Sequence, residues 1–140
     1  MASFNKFNSF VEALAEKKHD LGADTLKVLL TNTAPLATNT VKADLTEISA
    51  GNGYTAGGTT ASITSSSQTS GTYKLVLGDP ATWTASGGSI GPLRYAVLYN
   101  DTAANDELIG WWDYGSSITL AAGESFAVDF DPSTGVLTLA

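Results

Sequence analysis

Apolar residues recur along this chain in two rhythms. Phe4, Phe7, Val11 and Leu14 stand three, four and three residues apart, the period of a helix face, and Phe10 widens that stripe. The spacing predicts one amphipathic helix over residues 3–21, with Ser3 as its N-cap and Gly22 as its stop. Lys17, Lys18 and His19 then fall near its C-terminus, where the macrodipole favours positive charge. From residue 25 onward the rhythm changes to two, the period of a strand, broken by Gly, Ser, Thr and Asn.

In residues 25–31, Leu26, Val28 and Leu30 share one face and Lys27, Leu29 and Thr31 the other. Residues 32–58 form a long excursion, with a helical turn expected over 44–48 and tight turns at Asn52-Gly53 and Gly57-Gly58. A connection of that length in a small β domain is more often functional or interfacial than filler. Strands follow at 59–64, 72–77, 81–85 (with Trp83 inward), 93–99, 107–114, 124–130 and 135–139, with a short extra piece at 117–120 and a loop at 65–71. Residues 131–135, Asp-Pro-Ser-Thr-Gly, have the chemistry of a hairpin loop. Leu93, Tyr95, Val97 and Tyr99 fall on one face, and Phe126, Val128 and Phe130 on another.

Eight main strands at this spacing imply two packed antiparallel sheets, an all-β sandwich with one N-terminal α-helix. The count of eight fits a jelly roll. The domain division is an N-terminal amphipathic helical arm at 1–22 and a β-sandwich at 23–140. On this reading, removal of residues 2–20 leaves a folded sandwich.

Composition narrows the function. Fourteen acidic residues against seven basic ones give a net charge of −7, and the one dense basic spot is Lys17-Lys18-His19. Nucleic acid and anionic membrane surfaces both require clustered cations, so neither is an expected partner. No apolar run approaches the ~18 residues of a membrane span, and the N-terminus lacks a signal-peptide layout. With no cysteine and one histidine, no cofactor and no metal site are expected. His19 reads as a solvated residue at a helix end, and Asp101, Asp106, Glu107, Asp129 and Asp131 as solubilising turn carboxylates. Nothing selects a catalytic pair or triad, so the chain reads as a binding or assembly module rather than an enzyme.

The two adjacent tryptophans carry a sharper expectation. Simple alternation puts Leu108, Gly110, Trp112 and Tyr114 on one face and Glu107, Ile109, Trp111 and Asp113 on the other. If Trp112 is core, Trp111 points outward beside Ile109 as a candidate interface anchor. Leu29, Val76 and Leu98 are further outward apolar candidates for the same patch. The expected protein-interface residues are Phe4, Phe7, Phe10, Val11, Tyr54 and Trp111.

Three stretches carry a resemblance. Residues 29–35 (Leu-Leu-Thr-Asn-Thr-Ala-Pro), 44–48 with 51–58 (Asp-Leu-Thr-Glu-Ile and Gly-Asn-Gly-Tyr-Thr-Ala-Gly-Gly), and 109–115 (Ile-Gly-Trp-Trp-Asp-Tyr-Gly) are similar to tailed-phage capsid cement (decoration) proteins. The resemblance runs over most of the chain, from Phe4 to Leu139. It implies a jelly-roll structural protein of the virion, made in the bacterial cytoplasm, homodimeric, and seated on the outside of an icosahedral head. Its partners would be the major capsid protein and a second copy of itself. The alternative is a carbohydrate- or receptor-binding module of a tail or fibre, with Trp111, Tyr54 and Tyr99 stacking on sugars.

Overall fold

The computed structural model describes residues 2–140. Strand takes 42% of the residues and helix 7%, so the fold is all-β. The elements in chain order are β1 (Asn5–Lys6), α1 (Ser9–Ala15), β2 (Leu26–Thr31), β3 (Thr59–Thr60), β4 (Ile63–Thr69) and β5 (Thr72–Leu77). They continue with β6 (Trp83–Thr84), β7 (Ile90–Asn100), β8 (Leu108–Leu120), β9 (Ser125–Phe126) and β10 (Leu137–Leu139). Every pairing is antiparallel. The sheets have the orders β1-β8-β7-β2-β3, β10-β5-β4 and β6-β9. The five-stranded sheet faces the two smaller ones across the main core, in place of the two four-stranded sheets expected of a jelly roll.

That core joins Leu26, Val28 and Leu30 of β2 to Leu75 and Leu77 of β5, with Trp83, Ile109 and Leu137 among the buried residues. A second, smaller cluster covers the opposite face of the large sheet. There Leu29, Val97, Tyr99 and Leu108 are fully buried under Phe7, with Leu45 and Trp111 packed against them. The alternation read for β2 therefore holds on both faces. Leu29, Val76 and Leu98, expected to point outward, are all buried.

The N-terminal helix is far shorter than its periodicity suggested. Asn5 and Lys6 pair with Trp111 and Gly110 as an edge strand, so the helix starts only after Asn8. It ends at Ala15 because Lys17 adopts φ 64°, and the Lys18 N–H then reaches the Ala13 carbonyl while the Lys17 N–H reaches that of Leu14. This is a Schellman stop built on a lysine instead of a glycine, so Gly22 marked the wrong place. Phe10 and Ala13 form the buried face, and Val11 is exposed.

The other departures come from bulges and polar strands. A register irregularity between Leu93 and Tyr95 puts Leu93 in the main core with Ala96 and Leu98, while Val97 and Tyr99 face the second cluster. Tyr99 pairs with Leu108 and Leu98 with Gly110, so Ile109 is an extra residue on β8. The alternation flips there. Ile109 is buried in the main core, and Trp111 sits on the opposite face with Leu108. Pieces 107–114 and 117–120 are one continuous strand. Residues 65–69, expected in a loop, continue β4, whose exposed Ser and Thr residues hide its pairing with β5. The one helical turn of the excursion lies at Lys42–Asp44, ahead of its expected place. The 131–135 turn forms, but β10 pairs with β5 and not with β9.

Phe7 and Phe10 have 0% and 1% exposure, so the first 20 residues complete this chain's own core. Deleting residues 2–20 is therefore expected to abolish the cooperative unfolding transition. Phe10→Ala alone should cost about 3–5 kcal/mol in chemical denaturation. A truncated chain that unfolds cooperatively with near-wild-type stability would show that the segment is dispensable.

Candidate interaction surface

Of the six residues expected at an interface, three are spent inside the chain. Phe7, Phe10 and Tyr54 are buried, so they offer no surface to a partner in this conformation. Trp111 is half-buried, its ring 4.6 Å from that of Phe7. Phe4 is half-buried against Trp112, at 5.4 Å. Val11 is 48% exposed on α1. The six do not form one patch, because Phe4 packs on the main core and Phe7 on the opposite face of the sheet. Tyr99, a proposed sugar platform, is likewise fully buried.

Residues 32–58 are bound to the sheet along their length. The Ala37 carbonyl accepts from the Asn8 N–H, Thr40 and Val41 run beside Leu108 and Glu107, and the Ile48 N–H returns to the Leu30 carbonyl. The Asp44 carboxylate accepts from the Thr40 and Val41 N–H groups, which holds its pKa below the usual range and fixes the helical turn. The centre of the segment is a clamp. The Tyr54 hydroxyl donates to Glu47 Oε1 at 2.7 Å and accepts from the Leu30 N–H at 3.0 Å. Glu47 Oε1 also accepts from the Gly57 N–H, and the Tyr99 hydroxyl donates to the Gly57 carbonyl. Thr31 Oγ1 donates to the Thr46 carbonyl. Burial raises the pKa of both tyrosines, so they stay neutral donors. Gly58, at φ 75°, lies so close to β2 that a Cβ there would overlap the Val28 carbonyl.

An aromatic cleft of 440 Å³ opens on the other side of the sheet. Its floor is Trp112, flanked by Phe4 at 5.4 Å and Phe130 at 5.3 Å. Tyr114, 55% exposed, meets the edge of Phe126 at 5.5 Å. Residues 126–136 form the outer wall, carrying Asp129 and Asp131. Arg94 reaches the mouth but is held by Asp113 through Nε and Nη2, at 2.8 and 3.0 Å. Those two hydrogen bonds, with a further one from the Gly115 N–H, keep the Asp113 carboxyl below its usual pKa. Sequence reasoning did not assemble this cleft. The signal lay in Phe126, Val128 and Phe130 together with Trp112 and Tyr114, but their proximity follows from sheet order.

His19 is buried, not solvated. Its ring lies 5.4 Å from that of Phe10, and Nδ1 is 3.0 Å from the Asn100 side-chain nitrogen. Asn100 Oδ1 accepts from Thr102 and Ala103, so its amide group faces His19 and donates 2.6 Å to Asp24. Nδ1 is thus an acceptor and Nε2 carries the proton, with no hydrogen-bond partner among the described residues. Burial lowers the His19 pKa, opposed by Glu107 and Asp24 and reinforced by Lys18. Glu107 is buried too, and its Oε2 accepts from the Asn105 N–H. An open groove of 880 Å³ runs beside this node, lined among others by Lys17, Lys18, Asp20 and Asp24.

Among the described residues no group of three or more His, Asp or Glu side chains is placed to hold a metal ion. No helix among the described residues is long and apolar enough to cross a membrane. No family model, no curated protein and no solved structure matches this chain.

Two variants test the clamp and the node. Tyr54→Phe leaves the buried Leu30 N–H and Glu47 short of a partner and should cost about 1–3 kcal/mol by denaturant titration. For His19, the unfolded chain takes up a proton near pH 6.5, before the folded chain does. Stability should hold above that pH and fall as pH drops from there toward the lower folded value. The melting temperature measured from pH 8 to 5.5 should show this decline, reduced in His19→Gln; parallel curves would assign it to other groups.

Proposed function

We propose that the chain is a structural virion protein that binds the outer surface of an icosahedral phage head and cements neighbouring capsomers of the major capsid protein. One observation carries this reading. The stretches that resemble capsid cement proteins are far apart in sequence but include the clamp and its neighbours: Leu30, Thr31, Glu47, Tyr54 and Gly57, with Ile109 to Gly115 on the same sheet. That these separate stretches meet around one clamp in this chain supports the reading.

Cementing asks for a body that is soluble alone, which a net charge of −7 favours, and that makes modest contacts many times over. A repeated weak contact stabilises a shell through multivalency, and selective binding to the assembled shell stabilises it by mass action. Closure as a homodimer would let one unit grip two capsomers. Val11 and the half-buried Phe4 and Trp111 are the members of the expected set best placed to meet a partner. The second reading is a carbohydrate- or receptor-binding module, and the loop-walled aromatic cleft favours its receptor-binding form.

Purified protein is expected to co-sediment saturably with heads that lack it and not with free capsid subunits. Absence of binding to heads, together with binding to tails or glycans, would replace the cement reading with the adhesion module.

A further inference from the structure

The cleft between β8 and residues 126–136 has a chemistry that narrows its occupant. Its floor is apolar, from Phe4, Ala96, Trp112, Phe130 and Val136. Its rim is acidic. Asp129 is exposed, and the Asp131 carboxyl is held ionised by the Ser133 hydroxyl and N–H, both bonded to its Oδ1. Among the described residues the one cation lining it, Arg94, already makes two hydrogen bonds to Asp113 and lies over the Tyr95 ring at 5.3 Å.

An anionic ligand would meet two carboxylates and a guanidinium already neutralised. A sugar would find Trp112 half-buried between two phenylalanines, not presented as an open platform. The complementary group has an aliphatic stem and a cationic head, which is the build of lysine or arginine. Half-exposed Tyr114 and Phe126 add ring faces and edges near which such a head gains cation–π attraction. We propose that this cleft seats a lysine or arginine side chain presented by the protein partner, the stem on Trp112 and the head between Asp129 and Asp131. The identity of that partner as the shell protein rests on the head-binding reading above; the chemistry of the cleft does not.

The test uses the full chain and two probes, the peptide acetyl-Ala-Leu-Lys-Val-Ala-amide and its norleucine counterpart, followed by tryptophan fluorescence. The lysine peptide is expected to bind about tenfold more tightly than the norleucine one, and D129N/D131N should erase that difference. Asparagine keeps the oxygen that accepts from Ser133, so the turn is retained. Equal binding of both peptides, an unchanged difference in the variant, no binding of either, or displacement of fluorescence by oligosaccharides instead would overturn the proposal. Co-sedimentation separates the two readings. Wild type and D129N/D131N sedimenting equally with heads would sink the cleft as the contact and leave the head reading standing. Lysine-dependent peptide binding without any head binding would do the reverse.

Discussion

Strand β2 is buried on both faces, and the rest of the architecture can be understood as what is needed to cover it. Leu26, Val28 and Leu30 face the small sheets, while Leu29 lies on the other side with Val97, Tyr99 and Leu108. Each large aliphatic or aromatic side chain left in water would forgo roughly 1.5–3 kcal/mol. An ordinary two-layer sandwich covers only one face of each sheet. Here the second face is closed by the N-terminal segment, through Phe7, and by the long excursion, through Leu45. The arm and the excursion are thus the lid of a third, partial layer.

The clamp at Glu47 holds that lid in place. A lid made of irregular backbone must satisfy its own polar groups, and this one does so by borrowing from β2 and from two buried tyrosines. Tyr54 is the hinge between layers. Its ring belongs to the main core, within 6.4 Å of Trp83, while its hydroxyl binds the carboxylate of the excursion. The glycines at 57 and 58 let the backbone pass close beneath Tyr99 and against Val28, which explains why this stretch looks like a plain turn in sequence.

Legibility followed physical rules that operate locally. The faces of β2, the inward Trp83 and the all-β class follow from alternation alone. Parity arguments fail at a bulge, because one extra residue exchanges the faces of everything beyond it. Ile109 is that residue, and it separated Trp111 from the face it was read to share. The Ser/Thr strand β4 gave no apolar signal because both its faces are largely exposed. The helix stop was misplaced because Lys17 takes the left-handed conformation normally left to glycine. The aromatic cleft was illegible for a different reason: its walls come from residues 2–4, 94–96, 112–114 and 126–136, and only the strand order brings them together.

The pairing of Asn5 with Trp111 has a consequence for how the chain comes into being. A ribosome adding ~5–20 residues per second needs several seconds to a few tens of seconds to reach the partner strand of β1. Through that interval Phe7 and Phe10 wait without the sheet that buries them. The five-stranded sheet therefore closes only once β8 has been made, and Phe7 finds shelter no earlier. The β4–β5 hairpin can form beforehand, but the pairing of β1 with β8 spans about a hundred residues, and such non-local contacts belong to slower-folding topologies.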